Sequence, residues 1–375
     1  MAPLSPPVRP PPEVLTALLE AATLPQLGGG RLRHALGSLE GPVPALEAMT
    51  RAVRKRLAPG QVERARGWAR RAQETIERDA IHVLLPDDAA YPPALRAVHQ
   101  PPCPLFARGR LELLRTPMVA VVGTRNSTSY GRDAAQRIAW GIAAAGVTVI
   151  SGLARGIDGV AHRAAGPART VAVVGCGIDV AFPREHTRLQ EAIGREGLLL
   201  TEQLPGTPPI GHNYPRRNRI IAGLAEGVVV VEAPPRSGAL ITARHASQGN
   251  ATVFAVPCPI GYPQSVGANE LIRDGAHLVT SAREILLELD LPLPPDDVEA
   301  EIPPAELEGQ GLALWRAVGR EPRHIDEVAA AAGLAAHRSL ASLLSLEVRG
   351  HVRQLSGMRF VRAEGGRTPV VPAGT

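Results

Sequence analysis

Residues 119–131 read VAVVGTRNSTSYG. Val119 to Val122 form a short apolar run that predicts a buried parallel strand. It passes directly into a turn of glycine, serine and threonine carrying one arginine, Arg125. A helical pattern then begins near Gly131 and continues through Ile138 and Ile142. A strand, a polar glycine turn and a helix start leave backbone N–H groups free at the positive end of a helix dipole, which favours an anion such as phosphate. Gly123 and Gly131 lie too far apart for the G-x-G-x-x-G dinucleotide fingerprint. The ligand this turn predicts is therefore phosphorylated without having to be a nicotinamide cofactor.

Outward from this stretch, strand-like runs recur: 118–123, 147–151, 170–175, 198–202, 228–232, 252–256 and 277–280, with helix-length segments between them. Continuous valine-rich strands imply burial on both faces. The expected fold is α/β, an extended Rossmann-like, doubly wound, mostly parallel sheet. A small N-terminal helical domain and a C-terminal winged-helix domain flank it.

The domains follow from composition. Residues 1–12 are a Pro-rich tail expected to be disordered, and 13–80 carry helical periodicity with a glycine turn inside LPQLGGGRLRHAL (24–36). Such a helix–turn–helix can present N–H groups to DNA phosphates or can be a plain bundle with a glycine cap. Residues 81–290 hold the sheet, opening with an irregular lead-in over 81–117. An acidic, proline-rich linker covers 291–308. Within 309–365, three short helices and a hairpin turning at Ser356-Gly357 spell a winged helix; its second helix, about 336–347, offers only His337 and Arg338 to a DNA groove, so a protein-binding or structural role stands beside DNA reading. Residues 366–375 form a second disordered tail.

The chain has 375 residues, 45% hydrophobic but only 3% aromatic, and a formal net charge of +5. No apolar run is long enough to span a bilayer, and the start lacks a signal-peptide core. Cys103, Cys176 and Cys258 are widely spaced, which argues for a reducing cytoplasm and against a disulfide framework or structural zinc. Of 41 lysines and arginines, Lys55 is the sole lysine. Arginine suits bidentate phosphate contact.

Three further blocks repeat the strand–turn–helix theme. ISGLARGIDGVAHRAA (150–165) brings Gly152, Arg155, Gly156, Asp158 and His162. VVGCGIDVAFPREHTRL (173–189) brings Cys176 and Arg184. NYPRRNRIIAGLAEGVVVVEAPPRSGALITARHAS (213–247) brings Arg216, Arg217 and Arg219, then Ser237-Gly238. The carboxyl ends of parallel strands gather along one edge of an open sheet. One nucleotide needs one or two such turns; a row of them suits successive phosphates, hence a polynucleotide.

In this order and spacing the four blocks resemble the DNA-processing protein family called DprA or Smf, over nearly the whole chain. The resemblance implies a cytosolic, non-catalytic protein that binds single-stranded DNA, dimerises through its sheet domain and loads a RecA-type recombinase past single-strand-binding protein in natural transformation and recombination. The helical start resembles the family's sterile-alpha-motif or hairpin-like domain. Arg125 of GTRNS matches the family's DNA-binding arginine, and Arg184 stands at the basic position of YPKxN. Phe182 replaces the tyrosine of that motif and His186 the asparagine. TEQLPG stands for SEYPxG, and Cys258 for the glycine of AVPG, a change expected to alter a loop near the dimer edge.

The expected DNA contacts are Gly123, Thr124, Arg125, Asn126, Ser127, Gly152, Arg155, Arg184, Arg217, Arg219, Ser237 and Gly238, with no catalytic residue, metal or cofactor. Arg217 and Arg219 could instead pair with Glu226 or Glu232. His162 could belong to a catalytic pair or satisfy a buried carbonyl, and Cys176 could be a nucleophile or a packed thiol. Asp158, Asp179, Glu202 and Glu232 are too scattered in sequence to argue for a metal site. The aromatic content leaves broad base stacking poorly supplied. The chief rival is a nucleotide-binding or nucleotide-cleaving enzyme of the lysine-decarboxylase-like fold. Where such enzymes carry a catalytic glutamate, this chain has Ala243 and Arg244. A winged-helix transcription regulator with a ligand-sensing sheet is a third reading.

Overall fold

The computed structural model describes residues 8–25, 27–38, 41–294, 307, 309–319 and 321–363. Most of the 291–308 linker, the tail 366–375 and residues 1–7 of the N-terminal tail lie outside them. The chain divides into two compact units, Met1–Glu299 and Ala300–Thr375.

The first unit opens with helices α1 (Pro12–Ala22), α2 (Gly29–Leu36), α3 (Pro42–Arg54) and α4 (Pro59–Arg78). Strand β1 (His82–Leu84), helix α5 (Pro93–Ala97) and strand β2 (Leu105–Gly109) follow. Regular alternation then sets in: β3 (Met118–Val122), α6 (Ser129–Ala144), β4 (Thr148–Ser151), α7 (Ile157–Ala165), β5 (Thr170–Val173), α8 (Thr187–Glu196) and β6 (Leu198–Thr201). The second half runs α9 (Asn213–Leu224), β7 (Gly227–Val230), α10 (Gly238–Gln248), β8 (Thr252–Ala255), α11 (Val266–Arg273), β9 (His277–Leu278) and α12 (Ala282–Glu288).

These strands form one nine-stranded sheet in the order β1-β2-β6-β5-β4-β3-β7-β8-β9. From β6 to β9 every pairing is parallel, while β1–β2 and β2–β6 are antiparallel. The irregular lead-in thus hides two strands that cap one sheet edge. The chain order reverses between β3 and β7, and the crevice beyond the carboxyl ends of such a pair is where open α/β sheets bind ligands.

Alternate residues of the strands feed opposite faces. Val119, Val121, Val149 and Val229 pack under α6, α7 and α12. Ala120, Val122, Val171 and Val228 pack under α9 and α10. The N-terminal helices do not keep a separate core: Leu15, Leu18, Leu46 and Ala69 join Phe106, Ala172 and Leu199 of the sheet in one cluster. Residues 8–12, assigned by composition to the disordered tail, depart from that expectation. Val83 donates its N–H to the Val8 carbonyl at 2.8 Å, and Arg9 bonds the carbonyls of Ile76 and Ile81.

In the second unit, α13 (Gly309–Ala317), β10 (Arg323–His324), α14 (Ile325–Ala331), α15 (Ala336–Val348), β11 (Val352–Leu355) and β12 (Arg359–Arg362) make a winged helix with its sheet ordered β10-β12-β11. Leu314, Val318, Val328, Leu343 and Phe360 fill its core. Arg362 lies over the Trp315 ring, 4.0 Å from its centroid. On α15, His337 and Arg338 are exposed, and so are Leu344 and Val348.

Candidate nucleic-acid interface

At the β3/β7 switch point, turns following β3, β4 and β7 meet the first turns of α9 and α10 around a cavity of about 350 Å³. Its wall includes Gly123, Arg125, Asp158, Tyr214, Arg217 and Gly238.

The β3 turn is held by the neighbouring strand. Thr124 donates its N–H to the Glu232 carbonyl at 2.7 Å, and Asn126 donates to Thr124 Oγ1 at 3.2 Å. Thr128 caps α6 by accepting from the Gly131 N–H at 3.1 Å, the geometry that favours threonine before a helix. Arg125 is exposed, and its guanidinium sits 5.3 Å from the centroid of Tyr214. Phe182 also lies against Tyr214, 5.9 Å away between centroids. Two aromatic rings and an arginine therefore stand together in a chain otherwise poor in aromatics. Sequence reading missed both rings. Their available signal was position, since each occurs in a glycine- and proline-rich segment beside a site arginine.

Ser237 caps α10, accepting from the Ala239 N–H at 3.3 Å, and Gly238 is exposed beside it. Arg184 is exposed in the turn before α8. Gly123, Thr124, Arg125, Gly238 and Ser237 are thus brought to one cavity. Asn126 is exposed and Ser127 half-buried on the same turn.

Four other expected contacts are engaged within the protein. Gly152 is buried, and its carbonyl accepts from Arg217 Nη1 at 2.6 Å. A Cβ on Gly152 would collide with that guanidinium, so this glycine makes room for Arg217. Arg217 is itself buried, bonds the Val173 carbonyl as well, and faces Asp158. Burial holds the Asp158 carboxyl above its ordinary value, opposed by the Arg217 charge. Burial likewise pulls Arg217 below its own value, opposed by Asp158. Arg219 forms a two-pronged pair with Glu202 at 2.9 and 2.7 Å. Arg155 forms one with Glu185 at 2.7 and 2.8 Å. The alternative partners of Arg217 and Arg219, Glu226 and Glu232, are taken by neither: Arg217 faces Asp158 and Arg219 pairs with Glu202.

The acidic residues are equally committed. Asp179 accepts from the Gly206 N–H at 2.8 Å, and Glu232 holds Thr128. His162 is fully buried. Its Nε2 accepts the Leu153 N–H at 3.2 Å and its Nδ1 meets Thr170 Oγ1 at 2.7 Å. Burial, with the charges of His186 and Arg217, holds its pKa down to about 3. His186, standing where the resembling motif has asparagine, meets the carbonyl of the same Leu153 at 3.1 Å. The two imidazoles grip a residue with φ +55°, a left-handed conformation that is costly for a branched side chain. The thiols of Cys176 and Cys258 are buried, and burial raises each to about 11, the environment of an inert packed sulfur. Asn269 clamps both backbone polar groups of Cys258, accepting its N–H at 3.0 Å and donating to its carbonyl at 2.9 Å.

An open α/β sheet with a crevice at its switch point, and a winged helix in the same chain, are the parts of a class of DNA-processing proteins. The chain belongs to the DNA recombination-mediator protein A family: that model matches residues 82–290, and the DprA winged helix domain matches 298–358. Protein Smf of Escherichia coli strain K12 is 40% identical over 309 residues, 79% of this chain and 83% of that protein. DNA processing protein DprA of Streptococcus pneumoniae strain R6 is 43% identical over 205 residues, 54% of this chain and 72% of that one. The X-ray structure of DprA from Streptococcus pneumoniae superposes with a TM-score of 0.60 at 32% identity, covering 74% of this chain and 95% of its own. DNA processing protein A from Helicobacter pylori, whose structure was solved for its single-stranded DNA binding mode, gives a TM-score of 0.52 at 29% identity. That match covers 56% of this chain and 97% of the other. Among the described residues no helix is long and apolar enough to cross a membrane.

Proposed function

We propose that the crevice binds single-stranded DNA and that the protein loads a RecA-type recombinase onto it, past single-strand-binding protein, as a non-catalytic homodimer. The observation that carries the strand-binding reading is the meeting of exposed Arg125 with Tyr214 and Phe182 at the capped start of α10. Backbone N–H groups and arginine suit phosphates, and aromatic faces suit bases of any sequence. The single-strand binding mode of the Helicobacter pylori relative supports the same ligand. Against catalysis stands the commitment of Asp158, Glu202 and Glu232 to internal partners, which occupies these carboxylates with the fold rather than with activating water. The homodimer reading draws on the short, exposed edge strand β9 and the exposed Leu278 and Leu287 beside it.

Fluorescence anisotropy with oligo-dT tests the reading. Binding should fall steeply with salt, by about 0.7 units of log–log slope per phosphate neutralised, and survive competition by free nucleotides. Displacement by a mononucleotide, with little affinity for the strand, would mark a nucleotide-binding or nucleotide-cleaving protein instead. RecA filament formation on DNA coated by single-strand-binding protein, with and without this chain, tests loading. Light scattering at micromolar concentration tests the dimer.

A further inference from the structure

The positive charge of this protein is concentrated away from the crevice. Residues 51–71 hold eight basic side chains and one acidic one, whereas the whole chain carries only +5. The remainder of the molecule is therefore net negative. The segment comprises the last turn of α3 and the first half of α4, and it lies before the 82–290 stretch that defines the family.

Helix α4 turns one face inward, through Ala65, Ala69, Ala72 and Ile76. Trp68 pins it to the loop after β6 by donating from Nε1 to the Pro205 carbonyl at 2.8 Å. Arg51, Lys55, Arg56, Arg64, Arg70 and Arg71 are all exposed. Arg54 and Arg66 have carboxylate partners, Glu20 and Glu63. The helix also repeats a pattern, Gly60 with Arg64 and Gly67 with Arg71. A Cβ on Gly60 would lie 3.7 Å from Arg64 Nη1, and one on Gly67 3.4 Å from Arg71 Nη1. Each arginine thus lies back along the helix near a glycine, and the arrangement recurs seven residues apart. Glycine in a helix interior costs about 1 kcal/mol against alanine, and no packing contact at Gly67 other than this arginine accounts for it.

We infer that this α3–α4 face is a second nucleic-acid site, binding the phosphate backbone of duplex DNA independently of the crevice. The face offers charge without a stacking surface, since Trp68 is half-buried and committed, and single strands are gripped by stacking as well as charge. Four of its exposed cations flank or lie on one helix, α4, from Arg56 through Arg64 to Arg70 and Arg71. Arg64 and Arg71 stand about 10 Å apart along the axis, near the ~12 Å width of the B-DNA major groove, so they reach phosphates on both lips. Contacts to phosphates carry no sequence information, so binding through this face is independent of sequence.

The test uses the full chain carrying Arg64→Gln, Arg70→Gln and Arg71→Gln, with a fluorescent duplex of about two helical turns and oligo-dT as separate probes. All three side chains are exposed, and an unchanged circular dichroism spectrum and melting midpoint check the fold. Duplex affinity should fall at least tenfold, and oligo-dT affinity should stay within about twofold. The salt slope of duplex binding should become shallower by about 0.9 for each phosphate that the variant no longer neutralises. Arg125→Ala should do the reverse, weakening oligo-dT and sparing the duplex. Unchanged duplex affinity in the triple variant would overturn the inference. Equal weakening on both probes, or loss of duplex binding in Arg125→Ala, would overturn the independence of the two sites. Failure of the strand reading would show separately, as absent oligo-dT binding in the parent protein.

Discussion

Glu232, just after β7, grips Thr128, the cap of α6, with both carboxylate oxygens: Oε1 accepts the hydroxyl at 2.5 Å and Oε2 accepts the N–H at 3.0 Å. The acid at the switch point, where an enzyme of this architecture would do chemistry, is thereby committed to shaping the Arg125 turn. It also accounts for Gly131, since a Cβ there would collide with the same carboxylate.

Glu232→Gln keeps the shape and one acceptor but turns an amide donor toward Thr128. One buried polar group loses its partner, at about 1–3 kcal/mol. The unfolding midpoint in urea should fall accordingly and oligo-dT affinity with it. A midpoint equal to the parent's would show that the turn holds without the carboxylate.

Arg125 and Arg217, both in the crevice wall, should fail in different ways. Arg217→Ala strips partners from the Gly152 and Val173 carbonyls and leaves Asp158 facing no charge, a loss of about 3–5 kcal/mol. Arg125→Ala removes an exposed side chain and should leave the denaturation curve in place. Its oligo-dT affinity should drop about tenfold or more, the worth of one charge-assisted contact. Urea denaturation and anisotropy on the same two variants separate the roles.

Gly156 has φ +72°, and a Cβ there would collide with the Thr124 carbonyl oxygen. Gly156→Ala therefore combines backbone strain of about 1–3 kcal/mol with a push on the turn that carries Arg125. Stability and strand affinity should both decrease, measured by melting and by anisotropy. An alanine variant with parental affinity would mean that the two turns move independently.

His162 makes stability depend on acid. Its folded pKa is held to about 3, while the unfolded imidazole takes up a proton near 6.5. Between those values the unfolded chain binds more protons, so the stabilisation is complete above about pH 6.5 and is lost as pH falls toward 3. The slope for this one site is about 1.4 kcal/mol per pH unit. His82 and His245, also lowered by burial, act with the same sign. Denaturation at about pH 7 and about pH 5, either side of the free imidazole's value, should show the drop, and His162→Gln should flatten it.

The central parallel strands β3, β4, β5, β6 and β7 are legible in sequence because their valine- and leucine-rich runs are buried on both faces and leave no alternation to confuse. β1 and β2 are not: His82–Leu84 is too short for a periodic signal, and the prolines around Leu105–Gly109 read as loop. The polar turns after the strands are legible from their glycines, and Arg125 from standing alone among small polar residues. The fates of Arg155, Arg217 and Arg219 are hidden, because their partners Glu185, Asp158 and Glu202 come from other strand–helix units. Burial, which sets Arg217 apart from the exposed Arg125, has no local signature when all lysines and arginines but Lys55 are the same amino acid. The joining of the N-terminal helices to the sheet core is hidden for a related reason, since periodicity tells which face of a helix is buried but not against what.

The bond from Val83 to the Val8 carbonyl closes the β1 margin of the sheet, while β9 at the opposite margin has no further strand beside it among the described residues. A ribbon with one finished hem can be sewn to another only once. Copies joined through β9 would be related by a twofold axis and would stop at two, because neither has a further margin to offer. The few residues that precede the first helix thus occupy the margin from which a growing fibre of such copies would have to extend.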